Sequence, residues 1–506
     1  MGKRVSKSVL TALLLQVVTV VCGFVLPRFI LKSFGSAYNG IVNSVNQFLS
    51  CVVLLRAGIG GVTRAALYKS LEADDKESTG AIVKATELFM RKIAGIFSVL
   101  LLVFAAIYPL FVAEQFDWFF SFSLVVILGI SVVVQYYFGI SNQILLHADQ
   151  RLYVYNILQI GCTIANTILT IALIQMGSSI HIAKLGSAVA FSISPIAMHI
   201  YVRKRYRLDR KAKPDHSAIG QRWDAFAHQL TAFVQNNTAL VVLTIFTDLL
   251  QVSVYSVYNL VISGINQLIM SCTSAVESFL GSVWAKKDSS RLNRVFASYE
   301  WILNTLCCVI FSCTAMLIVP FVMVYTKGVS DVDYRQPLLG GLMCLSAFLS
   351  CVRLPYQNLI EAAGHFKQTK VDAWIEAGIS MSLSVALVFW LGAVGVVAAV
   401  IVALLYRTFR YALYASRHLL NRSYGVFVRR ILTSIFTVGT VVGLCFLMGG
   451  QRRMAEVDGF AQWVVAAVVV AIMSVIISVA VNTVFYPKIA IDGAKMLIAK
   501  VRKRKV

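Results

Sequence analysis

Tyr38-Asn39-Gly40-Ile41-Val42-Asn43-Ser44-Val45-Asn46-Gln47 returns later in the chain as Tyr258-Asn259-Leu260-Val261-Ile262-Ser263-Gly264-Ile265-Asn266-Gln267. Tyr, Asn, Asn and Gln recur at the same spacing with apolar residues between them. A second echo follows at nearly the same offset: Ser141-Asn142-Gln143-Ile144-Leu145 against Tyr356-Gln357-Asn358-Leu359-Ile360, with Ala148 and Ala363 beyond. Two echoes in one order read as a duplicated bundle, and duplicated halves around a midplane site are a transporter architecture.

Composition places both repeats in a membrane. The 506 residues are 58% hydrophobic and 14% charged, with mean hydropathy +0.77; a soluble domain carries about 25% charged residues. Apolar runs of roughly 20 residues, long enough to cross a bilayer, recur along the whole length. Fourteen spans are expected, at 9–31, 38–62, 93–113, 119–146, 152–176, 181–202, 225–246, 250–283, 299–325, 337–361, 371–391, 393–415, 427–448 and 460–486. The gap at Gly392–Gly395 separates the eleventh from the twelfth. Each span reads as helix, because a chain in lipid must satisfy its own backbone.

Charge fixes the expected orientation. With the N-terminus inside, seven of the 46 Lys and Arg fall at outer positions: Arg28, Lys32, Lys184, Lys327, Arg335, Arg452 and Arg453. Arg56 and Arg353 fall within spans, and all the others lie at inner loops, inner span ends or the termini. That asymmetry is the positive-inside pattern of a multi-pass membrane protein with both termini inside. The net charge of +23 is then inner loop and tail against anionic lipid, not a nucleic-acid surface. The first span, after Lys3, Arg4 and Lys7, is too long for a signal-peptide core and reads as retained. All ten cysteines fall in expected spans and read as small apolar filler.

The repeat pairs span 2 with span 8 and span 4 with span 10. The expected organisation is an all-α membrane protein. A six-helix N-lobe takes 1–202, a basic inner linker 203–222, and a six-helix C-lobe 223–425. Two extra helices follow in 426–487 and a basic tail in 488–506. Residues 63–92 are mixed polar and apolar and are expected to include an amphipathic surface helix.

Polar residues inside spans need a cavity or each other. On a straight helix Asn39, Asn43, Asn46, Ser50, Ala57 and Gly61 lie within about 40° of one line, with Gln47 off to one side. Span 8 repeats the stripe with Asn259, Ser263, Asn266, Glu277 and Gly281, beside Gln267; span 10 carries Ser346, Ser350, Arg353 and Gln357. Helix–helix packing accounts equally well for the amides. For Arg353 and Glu277 a wet cavity is the favoured reading and an internal ion pair the rival. Span 7 is unusually polar, with His228, Gln229, Gln235, Asn236 and Asn237. Arginine in a low-dielectric cleft suits phosphate, and neighbouring amides suit a polyhydroxylated group. No nucleotide-binding motif occurs.

The run Pro27-Arg28-Phe29-Ile30-Leu31-Lys32-Ser33-Phe34-Gly35, then Tyr38-Asn39-Gly40, then Leu54-Leu55-Arg56-Ala57-Gly58-Ile59-Gly60-Gly61 resembles the start of polysaccharide-biosynthesis flippases. These belong to the multidrug/oligosaccharidyl-lipid/polysaccharide exporter superfamily. The resemblance implies fourteen helices: two six-helix lobes in a V, plus two. It implies flipping of an undecaprenyl-pyrophosphate-linked glycan by alternating access, without a cofactor beyond a coupling H+ or Na+. Polysaccharide polymerase and glycosyltransferases are the implied pathway partners. It points to Arg28 and Arg56 as pyrophosphate ligands. No acid follows Arg28, where lipid II flippases often carry one, so an O-antigen, capsule or exopolysaccharide unit is the expected cargo. On this reading Arg353 joins the pyrophosphate site, Asn46, Gln47, Asn266, Gln267 and Gln357 meet the sugars, and Glu277 or His228 takes the coupling ion. A multidrug exporter and a membrane glycan polymerase are the alternatives.

Overall fold

The computed structural model describes residues 2–50, 59–73, 75–206, 237–285, 288–447 and 457–487. Arg56, His228, the linker beyond Tyr206 and the basic tail lie outside this set, as does the side chain of Glu277. All regular structure among the described residues is helical. The helices are α1 Gly2–Phe34, α2 Ser36–Leu49, α3 Ile59–Glu72, α4 Lys76–Ile107, α5 Trp118–Val134, α6 Ile140–Ala148, α7 Leu152–Gln175 and α8 Ile180–Tyr206. Then come α9 Asn237–Phe246, α10 Leu249–Ala285, α11 Ser289–Tyr325, α12 Pro337–Ala362, α13 Phe366–His418, α14 Gly425–Leu447 and α15 Phe460–Phe485. A π-turn at Gln135–Gly139 joins α5 to α6 into one span.

Eleven of the described helices are long and apolar enough to cross a membrane. One of them, α13, has 53 residues. At 1.5 Å per residue that is about 80 Å, more than twice the roughly 30 Å hydrocarbon core. It is broken at Gly392, whose φ of 54° is left-handed, a conformation glycine adopts without steric cost. The chain reverses there so tightly that a Cβ on Gly395 would lie 2.4 Å from the Leu387 carbonyl oxygen. α13 is therefore two spans, parted where the sequence places its shortest gap. The two other expected spans, 38–62 and 225–246, are represented by α2, the start of α3, and α9.

Of the expected surface stretch 63–92, residues 63–72 form the C-terminal part of α3, which is not among the candidate membrane spans, whereas residues 76–92 begin a long membrane helix. Asp75 caps α4 by accepting from Ser78 N at 3.0 Å, and the helix then runs unbroken to Ile107. Its mixed polarity is that of a span emerging from lipid.

The chain divides into two compact units, Met1–Ser253 and Val254–Val506. In the first, α1 lies along α7, α7 along α8, and α8 against α5. Ile30, Ile174, Ile180 and Ala183, with Leu26, Phe29, Tyr38 and Phe120, close one end of that group. In the second unit α12 packs on both α11 and α13, while α14 and α15 pack on each other and on α11. Trp301 Nε1 donates to Asn482 O at 3.5 Å and Trp463 Nε1 to Leu317 O at 3.2 Å, so α15 runs antiparallel along α11.

Candidate functional site

The repeat residues of the first unit form a neutral polar seam. Asn39 Nδ2 donates to Ser253 Oγ at 2.9 Å, and both are buried. Asn43 Nδ2 donates to Asn39 O at 2.9 Å, and Gln47 hydrogen-bonds Asn237. Tyr108 OH donates to Ser44 Oγ at 2.9 Å. Between the amides, Gly40 allows backbone to meet backbone: a Cβ there would lie 2.0 Å from the Leu249 carbonyl oxygen. Helix α2 is thus pinned to α9 and to the first turn of α10. Asn46 points away from this seam and is exposed. The expected stripe therefore splits, with Asn39 and Gln47 bonding helices together and Asn46 left open. Arg28 is half-buried on α1.

The equivalent residues of the second unit behave differently. Tyr258 OH donates to Tyr334 O at 2.9 Å and accepts from Gln336 N at 3.1 Å, so it anchors the loop before α12. Asn266 is half-buried, with its Oδ1 3.5 Å from Cys351 Sγ; Gln267 is exposed. Gln357 donates to Glu361 at 2.8 Å along α12.

The strongest electrostatics of the second unit are two Arg–Glu–Arg triads. Arg353, 5% exposed, donates to Glu376 Oε1 at 2.8 Å, while Arg407 binds Oε2 of the same carboxylate and donates to Tyr411 OH at 2.6 Å. Glu376 comes from the first arm of α13 and Arg407 from the second, so the reversal at Gly392 is what brings them together. The ion-pair reading of Arg353 is the one the structure shows. In the second triad Glu300, 1% exposed, binds Arg422 with 3.0 Å contacts to both of its oxygens, and its Oε2 lies 3.1 Å from Arg430 Nε. Tyr356 OH bonds the same carboxylate. Burial would lower the pKa of Arg422; the Glu300 charge and Tyr356 outweigh it and leave the guanidinium raised and cationic. Each triad sets two guanidiniums against one carboxylate.

Sequence reading missed Glu376, Arg407, Glu300, Arg422 and Arg430 as a set. Glu376 and Arg407 carried a legible signal: they fall inside expected spans 11 and 12 and flank Gly392 at nearly equal distances. Glu300 gave none, since its arginine partners are more than a hundred residues away in sequence. Among the described residues no cluster of His, Cys, Asp or Glu could hold a metal ion.

No family model and no curated protein matches the chain in sequence. Solved structures do. The lipid II flippase MurJ in an inward closed conformation superposes with a TM-score of 0.67 at 12% identity, covering 94% of this chain and 99% of that one. An inward-facing multidrug resistance transporter of the MATE family gives 0.64 at 12% identity, over 79% and 95%. A transporter of the same superfamily from Pyrococcus furiosus, described as having reversed binding-pocket polarity, gives 0.54 at 14% identity, over 83% and 97%. The chain has the all-helical fold of transporters of the multidrug/oligosaccharidyl-lipid/polysaccharide exporter superfamily, and the proteins it resembles are transporters and flippases rather than enzymes.

Proposed function

We propose that the chain flips a lipid-linked oligosaccharide with a diphosphate head group from the inner to the outer leaflet of a bacterial cytoplasmic membrane, for surface polysaccharide synthesis. The observation that carries this is the extent of the likeness to the flippase. It takes in 94% of the chain, whereas the likenesses to MATE transporters take in 79% to 86%; α14 and α15 are part of the working protein on the flippase reading.

On this reading two six-helix lobes alternate access, and the inner linker 203–222 tolerates their rocking. Arg28 and Arg56 hold the diphosphate. The exposed amides Asn46 and Gln267, with Asn266 and Gln357, receive the sugars, while Gln47 acts through its bond to Asn237. Arg353 is held by its ion pair with Glu376 and acts through that cluster, not as an open ligand. Glu277 or His228 takes a coupling H+ or Na+. The polymerase and glycosyltransferases of the same pathway act after and before it.

The test is the lipid-linked sugar pool of cells lacking the protein. An undecaprenyl-diphosphate oligosaccharide trapped on the inner leaflet, with surface glycan lost, is the expected result. An unchanged pool with intact surface glycan would overturn the reading. The drug-exporter alternative, favoured by the MATE likeness, predicts dye efflux from proteoliposomes instead.

A further inference from the structure

Four buried or half-buried arginines of the second unit each face a carboxylate: Arg353 and Arg407 face Glu376, and Arg422 and Arg430 face Glu300. Lys184 breaks that pattern. It lies in the second turn of α8, 7% exposed, inside a candidate membrane span. Among the described residues it has neither an ion pair nor a hydrogen bond through its side chain. A buried ammonium in a membrane helix is costly without a counter-charge, and such residues mark ligand or ion pathways.

Its surroundings point to an anion. One turn along the same helix, Ser187 Oγ donates to Asn166 Oδ1 at 2.5 Å and lies 3.0 Å from Thr170 Oγ1, so α7 and α8 share a strip of buried hydroxyl and amide groups. On the side of Ile180 and Ala183, the neighbours of Lys184 on α8 share a cluster with Leu26, Phe29 and Ile30 of α1. Arg28 belongs to that stretch of α1, and Lys32 follows one turn later. Three cations thus come to the same end of the first unit. A proton-relay lysine would need a carboxylate to exchange with. Cations with hydroxyls and amides are instead the donor set of a phosphate site.

We propose that Lys184 is an anion-binding residue whose ammonium takes a phosphate of the lipid-linked diphosphate within the first unit, as a second ligand to the group held by Arg28. This rests on the flippase reading and names a ligand that reading does not contain. On the orientation expected from loop charge, Lys184 lies toward the outer end of its span. It would then hold the head group late in the crossing.

The experiment uses the full chain in phosphatidylcholine nanodiscs, with undecaprenyl diphosphate as probe, undecaprenol as the phosphate-free control and inorganic pyrophosphate as competitor. Wild type should bind the diphosphate at least about tenfold more tightly than the alcohol, a difference that one charge-assisted contact supplies. Lys184→Met should lose about tenfold in affinity for the diphosphate and none for the alcohol, while Lys184→Arg stays within about threefold of wild type. Pyrophosphate should compete about tenfold more weakly in Lys184→Met than in wild type. If Lys184→Met does not fold, Lys184→Gln, polar but uncharged, is read by the same thresholds. Discrimination by wild type that Lys184→Met retains in full would overturn the proposal and leave the flippase reading standing. Failure of wild type to prefer the diphosphate would overturn both.

Discussion

The two units solve the same problem with different chemistry. Each must hold polar side chains between membrane helices. The first uses uncharged pairs, Asn39 with Ser253 and Gln47 with Asn237. The second uses whole charges, one carboxylate between two guanidiniums, twice over. Interhelical hydrogen bonds in membranes average about 0.6 kcal/mol and reach about 1.7. Removing one partner of a buried ion pair costs about 3–5 kcal/mol. The first unit is thus held by a seam that can open at small cost, and the second by a block that cannot.

Substitutions that sort by this contrast will break it or sharpen it. Glu376→Ala should do most damage, because it removes the buried carboxylate that Arg353 and Arg407 share. A loss of about 3–5 kcal/mol is expected, read as failure to elute as a monodisperse species in detergent. If the variant is as stable as wild type, the triad is not what holds the second unit. Gly40→Val comes next. Its side chain would meet the Leu249 backbone, which has no rotamer to yield, and overpacking of this kind costs about 1–3 kcal/mol. Thermal scanning of the purified protein checks it, and Gly23→Ala, where a Cβ meets nothing within 4 Å, is the control. Smaller still, a double-mutant cycle on Asn39→Ala and Ser253→Ala should give a coupling of about 0.6 kcal/mol. A value above about 3 kcal/mol would put the seam on a par with the triads. Asn46→Ala should leave stability within about 0.5 kcal/mol of wild type and reduce glycan export all the same; unchanged export would remove Asn46 from the sugar-binding face.

The span count, the tight break near Gly392 and the all-helical fold were legible because hydropathy reports burial in lipid directly. Partnership was less legible, because hydropathy carries no information about which distant side chain shares a given depth. Arg353 stood out as a charge in a span, yet its partner lay beyond another loop, and only the folded hairpin sets Glu376 against it. The helical wheel from Asn39 puts Asn46 on the amide stripe, and the structure leaves it exposed. The wheel could not separate an amide that glues helices, as Gln47 does, from one that stays open. That distinction depends on α9, whose Asn237 stands out in sequence only as one amide of an unusually polar span. Lys184 was read as a loop-end cation because it falls at the edge of an apolar run, and the helix begins one turn earlier than its side chain is buried.

The reversal at Gly392 also bears on how the protein is made. The two arms of α13 are neighbours in the chain, so they can meet before the rest of the second unit exists. If they leave the insertion machinery as a closed hairpin, the Glu376 carboxylate and the Arg407 guanidinium enter lipid already neutralising each other. The energetic barrier to burying either charge alone is then never climbed. A glycine with a left-handed backbone, far from any substrate, would in this way decide whether the ribosome's product reaches the bilayer in the right topology.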